Sequence, residues 1–225
     1  MAVRSISSMK NWRSFKEALG LNDLRLSSKK FRVAMLLIAV GIIGRMLLVS
    51  LANIETVLVA SLLAGSYLGG IYAVIVPISI LLSTDLIIYA TRFPGFYPIG
   101  DIAMLALFVY SGFVLISLVG AATRRRLVFR LKSIAVLTSI SIPLTIFYDY
   151  WTATGMWLTI TGRPPISYSI WQTYSLQVPF TLLHIVSSLI FVPIFGTIFL
   201  YYLSQPTETT ATTAAPSEAI GAQHD

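Results

Sequence analysis

The chain has 225 residues, of which 56% are hydrophobic and only 11% are charged, with a net charge of +7 and a mean hydropathy of +0.80. Because soluble domains carry about 25% charged residues, this composition excludes an ordinary soluble protein and predicts an all-α integral membrane protein. The basic residues lie in short segments beside apolar runs, so we expect no nucleic acid partner. The absence of cysteine excludes disulfides and Cys-ligated metal.

Residues 1–31 form a polar, basic segment that we expect on the cytoplasmic side. Residues 14–17 (Ser-Phe-Lys-Glu) have the spacing of a capping box, and Trp12, Phe15 and Leu19 share one helical face. This pattern predicts an interfacial amphipathic helix. A solvated helix that only obeys the charge bias is the alternative.

Six apolar runs follow, which at about 20 residues per crossing predict six membrane spans in one domain, residues 32–203. Only Gly69 and Gly70 separate the second run from the third. A continuous helix over both would be about 55 Å long, far beyond a hydrocarbon core of about 30 Å, so we divide them. The runs cover 33–51, 54–69, 71–90, 101–120, 133–158 and 174–203.

The basic residues predict the orientation of these spans, because Lys and Arg concentrate in cytoplasmic loops. Thirteen of the sixteen lie before the first span or between the fourth and fifth, and six spans put both groups on one side. We therefore predict a bundle of six transmembrane helices in the cell membrane with both termini cytoplasmic. Residues 204–225, rich in Thr, Ala and Ser, are predicted to be a disordered cytoplasmic tail.

Five ionisable residues lie within or at the ends of the apolar runs: Arg45, Asp85, Asp101, Asp149 and His184. A charge in hydrocarbon costs about 2.5 to 3.5 kcal/mol, so such residues usually mark a substrate or ion path. Counting 1.5 Å per residue along each span places all five in the outer half, with Asp101 at the rim. A structural ion pair is the alternative for Arg45 and Asp85.

Polar residues also recur at helical spacing on two spans, where we expect them to face the bundle. Bonds to their own helix are the alternative for Ser and Thr, and an interfacial belt is the alternative for the nearby Trp and Tyr. The stripes are Ser141, Thr145, Asp149 and Thr152 on span five, and Gln177, Thr181, His184 and Ser188 on span six.

Together these patterns predict a polar, aromatic-lined cavity that opens outward and is sealed inward by apolar residues. Such a cavity is typical of a site that captures a small molecule from outside. We expect its substrate-binding residues to be Arg45, Asp85, Tyr148, Asp149, Trp151, Gln177, Thr181 and His184.

Motifs for catalysis and for cofactors are missing from the sequence, which has no GxSxG, HExxH, paired Asp-x-x-Asp or P-loop. We therefore expect no enzyme, no catalytic residue and no cofactor. His184 has no His, Asp or Glu at ligand spacing, so we expect no metal site. Ala34 and Gly41 give span one a small-residue face for docking a partner helix, with internal packing as the alternative.

Three segments resemble the substrate-binding S components of energy-coupling-factor (ECF) transporters. They are a small-residue turn with a helix ending near an Asp, AGSYLGGIYAVIVPISILLSTDLII (64–88); a Tyr-Asp segment, IFYDYWTATGMW (146–157); and a His-bearing last helix, PFTLLHIVSSLIFVPIFG (179–196). The resemblance implies a six-helix bundle in membrane lipid that binds a vitamin, a related small molecule or a metal ion from outside. It also implies a T subunit and two ATPase subunits as partners, with docking through small residues of span one.

We therefore predict a membrane-embedded substrate-binding subunit of an ATP-driven ECF-type uptake transporter, with a vitamin-like substrate. An accessory or scaffold subunit of a larger membrane complex is the alternative, in which the buried charges are structural pairs. An autonomous secondary transporter is a third hypothesis, which the lack of visible inverted repeats disfavours.

Overall fold

A computed structural model describes most of the membrane domain. The predicted amphipathic helix near residues 12–19, and all but the first two residues of the predicted tail, lie outside the described residues. The described residues are 28–48, 50–51, 54, 56–92, 98–124 and 131–205.

All regular structure in the described part of the chain is helical, which confirms the predicted all-α class. Five of the helices are long and apolar enough to cross a membrane, as a multi-pass membrane protein requires. A π-helical turn over Ala64–Leu68 continues the second helix, and another over Trp157–Thr161 continues the fifth. The helices are α1 (Ser28–Leu48), α2 (Val57–Leu63), α3 (Tyr72–Arg92), α4 (Ile99–Thr123), α5 (Leu131–Met156) and α6 (Ile170–Ser204).

The second helix corrects the prediction of six full-length spans. With its π turn it covers Val57–Leu68, about 18 Å at 1.5 Å per residue, whereas the hydrocarbon core is about 30 Å thick. Every residue of this helix is buried inside the bundle. Its apolar sequence therefore reflects contact with the other helices, which a hydropathy pattern does not distinguish from contact with lipid.

Contacts between helix ends define two faces of the bundle. At one face, Lys29 Nζ donates to the carbonyl oxygen of Leu203 at 2.9 Å and to that of Gln205, which joins the start of α1 to the end of α6. We call this the terminal face. At the opposite face Arg163, after α5, pairs with Asp101 at the start of α4, and we call this the loop face. Successive helices run in alternating directions between the two faces.

Glycines allow α2 to approach its neighbours closely. Gly69 and Gly70 have φ angles of 64° and 57°, a conformation that only glycine adopts without strain, and they reverse the chain before α3 as predicted. A Cβ added at Gly65 would lie 1.8 Å from the backbone oxygen of Ser117 in α4. The α2 and α4 backbones are therefore in direct contact, as small residues permit between membrane helices.

The apolar core occupies the half of the bundle nearer the terminal face. Leu37 of α1, Ile80 of α3, Ile116 of α4 and Leu137 of α5 are fully buried around α2. Along α1, α3, α4 and α5 this core gives way to polar residues toward the loop face. The fold therefore separates an apolar half from a half that can hold a polar site.

Candidate functional site

A cavity of about 370 Å³ lies in the loop-face half of the bundle. Its walls come from α1, α3, α4, α5 and α6 and from Leu51 and Ile54 in the connection between α1 and α2. The volume is within the range of about 300 to 1,000 Å³ that is typical of small-molecule sites. No residue of α2 lines the cavity, which is consistent with the place of α2 in the apolar core.

Asp149 and His184 form the polar floor of the cavity. His184 Nδ1 lies 2.9 Å from Asp149 Oδ1, and each side chain is only 1% exposed. The ring of Tyr148 meets the His184 ring edge-on, with 5.8 Å between centroids. The polar stripes of α5 and α6 bring these groups together, because residues three and four apart share a helix face.

The same two stripes continue toward the terminal face below the floor. The hydroxyl groups of Thr145 and Ser188 lie 3.0 Å apart, and both residues are fully buried. Ser141 lies one turn before Thr145 in α5, and its hydroxyl donates to the carbonyl oxygen of Thr138 in the same helix. The prediction that both stripes face the bundle is confirmed, and the bond within α5 follows the alternative stated for Ser and Thr.

One oxygen of the floor is unused. Asp149 Oδ2 is buried and has no hydrogen-bond partner among the described residues. A buried polar group left without a partner costs about 1 to 3 kcal/mol, and more when it is charged. Buried acceptors in native proteins are nearly always satisfied, so this oxygen needs an explanation in terms of what the cavity holds.

Arg45 and Asp85 form a second, largely buried pair at the side of the cavity. Arg45 Nη2 lies 2.8 Å from Asp85 Oδ1, and Arg45 Nη1 donates to Thr84 Oγ1 at 2.9 Å. Tyr110 of α4 also hydrogen-bonds to Asp85. The pair therefore joins α1, α3 and α4. This arrangement agrees with the alternative stated above for Arg45 and Asp85, a structural ion pair.

Five of the eight predicted substrate-binding residues line the cavity. Asp85 does not line it but lies against Arg45. Trp151 donates from Nε1 to Ser111 Oγ at 3.0 Å and packs against Phe108, so its indole lies between α5 and α4. Thr181 is buried without lining the cavity. The five that line it are Arg45, Tyr148, Asp149, Gln177 and His184.

Several lining residues were not among the predicted site residues. Thr152 belongs to the predicted stripe of α5, and Thr173 lies one turn before Gln177 on α6, so extending the stripes would have found both. The apolar walls, including Leu105 and Val109 of α4, carry no sequence signal that separates them from residues facing lipid.

Ala34 and Gly41 are not available for docking a partner helix. Ala34 is 3% exposed, and a Cβ added at Gly41 would lie 2.3 Å from Ile80 Cδ1 of α3. Both residues face the inside of this chain, because α1 packs against α3 through its small-residue face. The structure corrects the docking prediction in favour of internal packing.

Asp101 was predicted at the rim of the cavity, and the structure places it at the loop face, at the start of α4. Its Oδ1 accepts a hydrogen bond from Arg163 Nη1 at 2.9 Å, and the two side chains are 24% and 55% exposed. Neither residue lines the cavity. Among the residues that the structure describes, no group of three or more His, Asp and Glu side chains could hold a metal ion.

No curated protein and no solved structure matches this chain. A family model, described as a family of unknown function (DUF6580), matches residues 26–210. The match includes all six helices and every residue of the cavity. The chain therefore belongs to the family of unknown function DUF6580.

Proposed function

We propose that this chain is the membrane-embedded substrate-binding subunit of an ECF-type uptake transporter and captures a small, vitamin-like molecule from outside. The observation that carries the proposal is the cavity of about 370 Å³ with its buried Asp149–His184 floor. The apolar core closes the opposite half of the bundle, so the site is accessible from one side. A one-sided site binds a solute without translocating it, and a T subunit and two ATPase subunits would supply the energy.

The proposal places the loop face outside and both termini in the cytoplasm. The basic residues support this orientation, because thirteen of sixteen lie before α1, in its first five residues, or around the connection between α4 and α5. The chain has no cysteine, so single-cysteine labelling is unambiguous. We expect Ser167→Cys at the loop face to react with an impermeant thiol reagent on intact cells, and Ser204→Cys only after permeabilisation. The reverse pattern would exclude capture from outside.

Binding tests the function itself. Native mass spectrometry of the purified chain should detect a co-extracted small molecule, because the buried polar groups at the cavity floor are costly to leave without hydrogen-bond partners. Asp149→Asn and His184→Ala should lose that molecule, whereas Asp101→Asn, which removes a carboxylate that does not line the cavity, should keep it. A chain that retains no molecule and binds none in a ligand screen contradicts the proposal.

A scaffold subunit of a larger membrane complex is the second candidate. The Arg45–Asp85 pair favours it, because these charges bond to each other and to Thr84 and Tyr110. Affinity purification separates the two functions. Recovery of ATPase and T subunits supports uptake, whereas recovery of an unrelated membrane enzyme with an empty cavity supports the scaffold.

A further inference from the structure

We propose that the molecule in this cavity carries a cationic nitrogen group, such as a protonated amine or amidine, and donates a hydrogen bond from it to Asp149 Oδ2. This inference rests on the proposed function and deepens it, because it assigns the chemical class of the captured molecule. In this proposal Asp149 Oδ2 is the main group that recognises the captured molecule.

The first argument is the hydrogen-bonding capacity of the floor. Asp149 Oδ1 is held by His184 Nδ1 at 2.9 Å, while Oδ2 has no partner among the described residues. An ionised carboxylate only accepts hydrogen bonds. With Asp149 only 1% exposed at the cavity floor, a molecule seated there satisfies Oδ2 by offering an N–H or O–H donor.

The second argument is the charge of the lining. Two of the lining residues that the structure describes carry a full formal charge, Arg45 and Asp149. Asp85 lies 2.8 Å from Arg45 and compensates it, while Asp149 has only the imidazole of His184. With a neutral imidazole the floor carries one net negative charge. An anionic molecule would bring a second one beside Asp149, whereas a cation compensates it.

The third argument is the shape of the remaining surface. Above the floor most of the lining side chains are apolar, among them Leu105 and Val109 of α4 and Ile88 of α3, and Thr152 and Thr173 add two hydroxyl groups. Gln177 adds one amide at the side. A compact apolar or aromatic body that ends in a charged nitrogen group fits this division, because the body fills the apolar walls while the nitrogen reaches the floor.

Three probes of nearly equal size test the inference: benzamidine, benzamide and benzoate. All three carry a planar group of three heavy atoms on a phenyl ring. The group is a cation with N–H donors in benzamidine, a neutral donor and acceptor in benzamide, and an anion without donors in benzoate. The measurement is thermal unfolding of the purified full chain in detergent, with each probe titrated to millimolar concentration.

We expect benzamidine to raise the unfolding temperature and to bind at least tenfold more tightly than benzamide or benzoate. In Asp149→Asn this preference should disappear, and in Asp101→Asn it should remain. The ranking in the unmodified chain decides the question even if Asp149→Asn does not fold.

The other outcomes separate this inference from the proposed function. Equal binding of benzamide, or preferred binding of benzoate, overturns the cationic class while leaving small-molecule capture intact. No effect of benzamidine on a chain that retains a co-extracted molecule also overturns it. No effect of any probe on a chain that retains nothing overturns both.

Discussion

Removing either partner of the Arg45–Asp85 pair should destabilise the bundle more than removing both. Arg45 Nη2 lies 2.8 Å from Asp85 Oδ1, and the two side chains are 17% and 12% exposed, respectively. Loss of one partner from a fully buried pair costs about 3 to 5 kcal/mol. Because Thr84 and Tyr110 retain bonds to the remaining charge and some solvent reaches it, we expect about 2 to 3 kcal/mol for Arg45→Met or for Asp85→Leu.

The double variant Arg45→Met/Asp85→Leu leaves no uncompensated charge, and apolar side chains of similar volume often replace a buried pair without loss. We therefore expect its stability to lie within about 1 kcal/mol of the original chain, which corresponds to a coupling energy of at least about 3 kcal/mol. The assay is unfolding in mixed micelles by titration with sodium dodecyl sulfate, followed by helical circular dichroism.

The pair Arg163–Asp101 is the matched control, with a distance of 2.9 Å but side chains 55% and 24% exposed. Its coupling energy should stay below about 1 kcal/mol, as for exposed pairs. Additive effects of Arg45→Met and Asp85→Leu would refute the reasoning. Ligand binding then tests whether Arg45 also contacts the captured molecule. Loss of binding in a double variant that remains stable would show that it does.

The same assay tests two other contacts. Gly65→Ala should cost about 2 to 3 kcal/mol, because its Cβ would lie 1.8 Å from the Ser117 backbone oxygen; Gly100→Ala, with nothing within 4 Å, should be neutral or stabilise by up to about 1 kcal/mol. Equal effects would contradict the close approach of α2 and α4. Tyr67→Phe removes the bond from the Tyr67 hydroxyl to the Gly196 carbonyl at 3.1 Å and should cost about 1 kcal/mol. An unchanged unfolding midpoint would show that this bond contributes nothing.

Most of the fold could be predicted because its determinants are local. Apolar runs define the five long helices, and Gly69 and Gly70 define the turn between α2 and α3. The start of α6 could also have been predicted. Ser169 and Gln172 form a capping box, so the helix begins at Ile170, four residues before the sixth apolar run. The short length of α2 could not be predicted, because burial by other helices is a tertiary property.

The candidate site could likewise be predicted only in part. Asp149 and His184 were predictable because each belongs to a polar stripe on a neighbouring helix, and such stripes face one another. The rotation of a helix about its axis is set by packing. Residue counting therefore could not decide that Trp151 bonds to Ser111 on α4 rather than lining the cavity, or that Asp85 compensates Arg45.

The buried second helix has a consequence for how the protein is made. Residues 57–68 are buried entirely by protein, so partition into lipid contributes nothing to holding them in their final place. Their partners include Ser117 on α4 and Gly196 on α6, which the ribosome synthesises later. The helix therefore reaches its native position only after segments that follow it in the chain have entered the membrane. A nascent chain that stops before α4 leaves this helix without its partners on α4 and α6, and spatial assembly does not follow the order of synthesis.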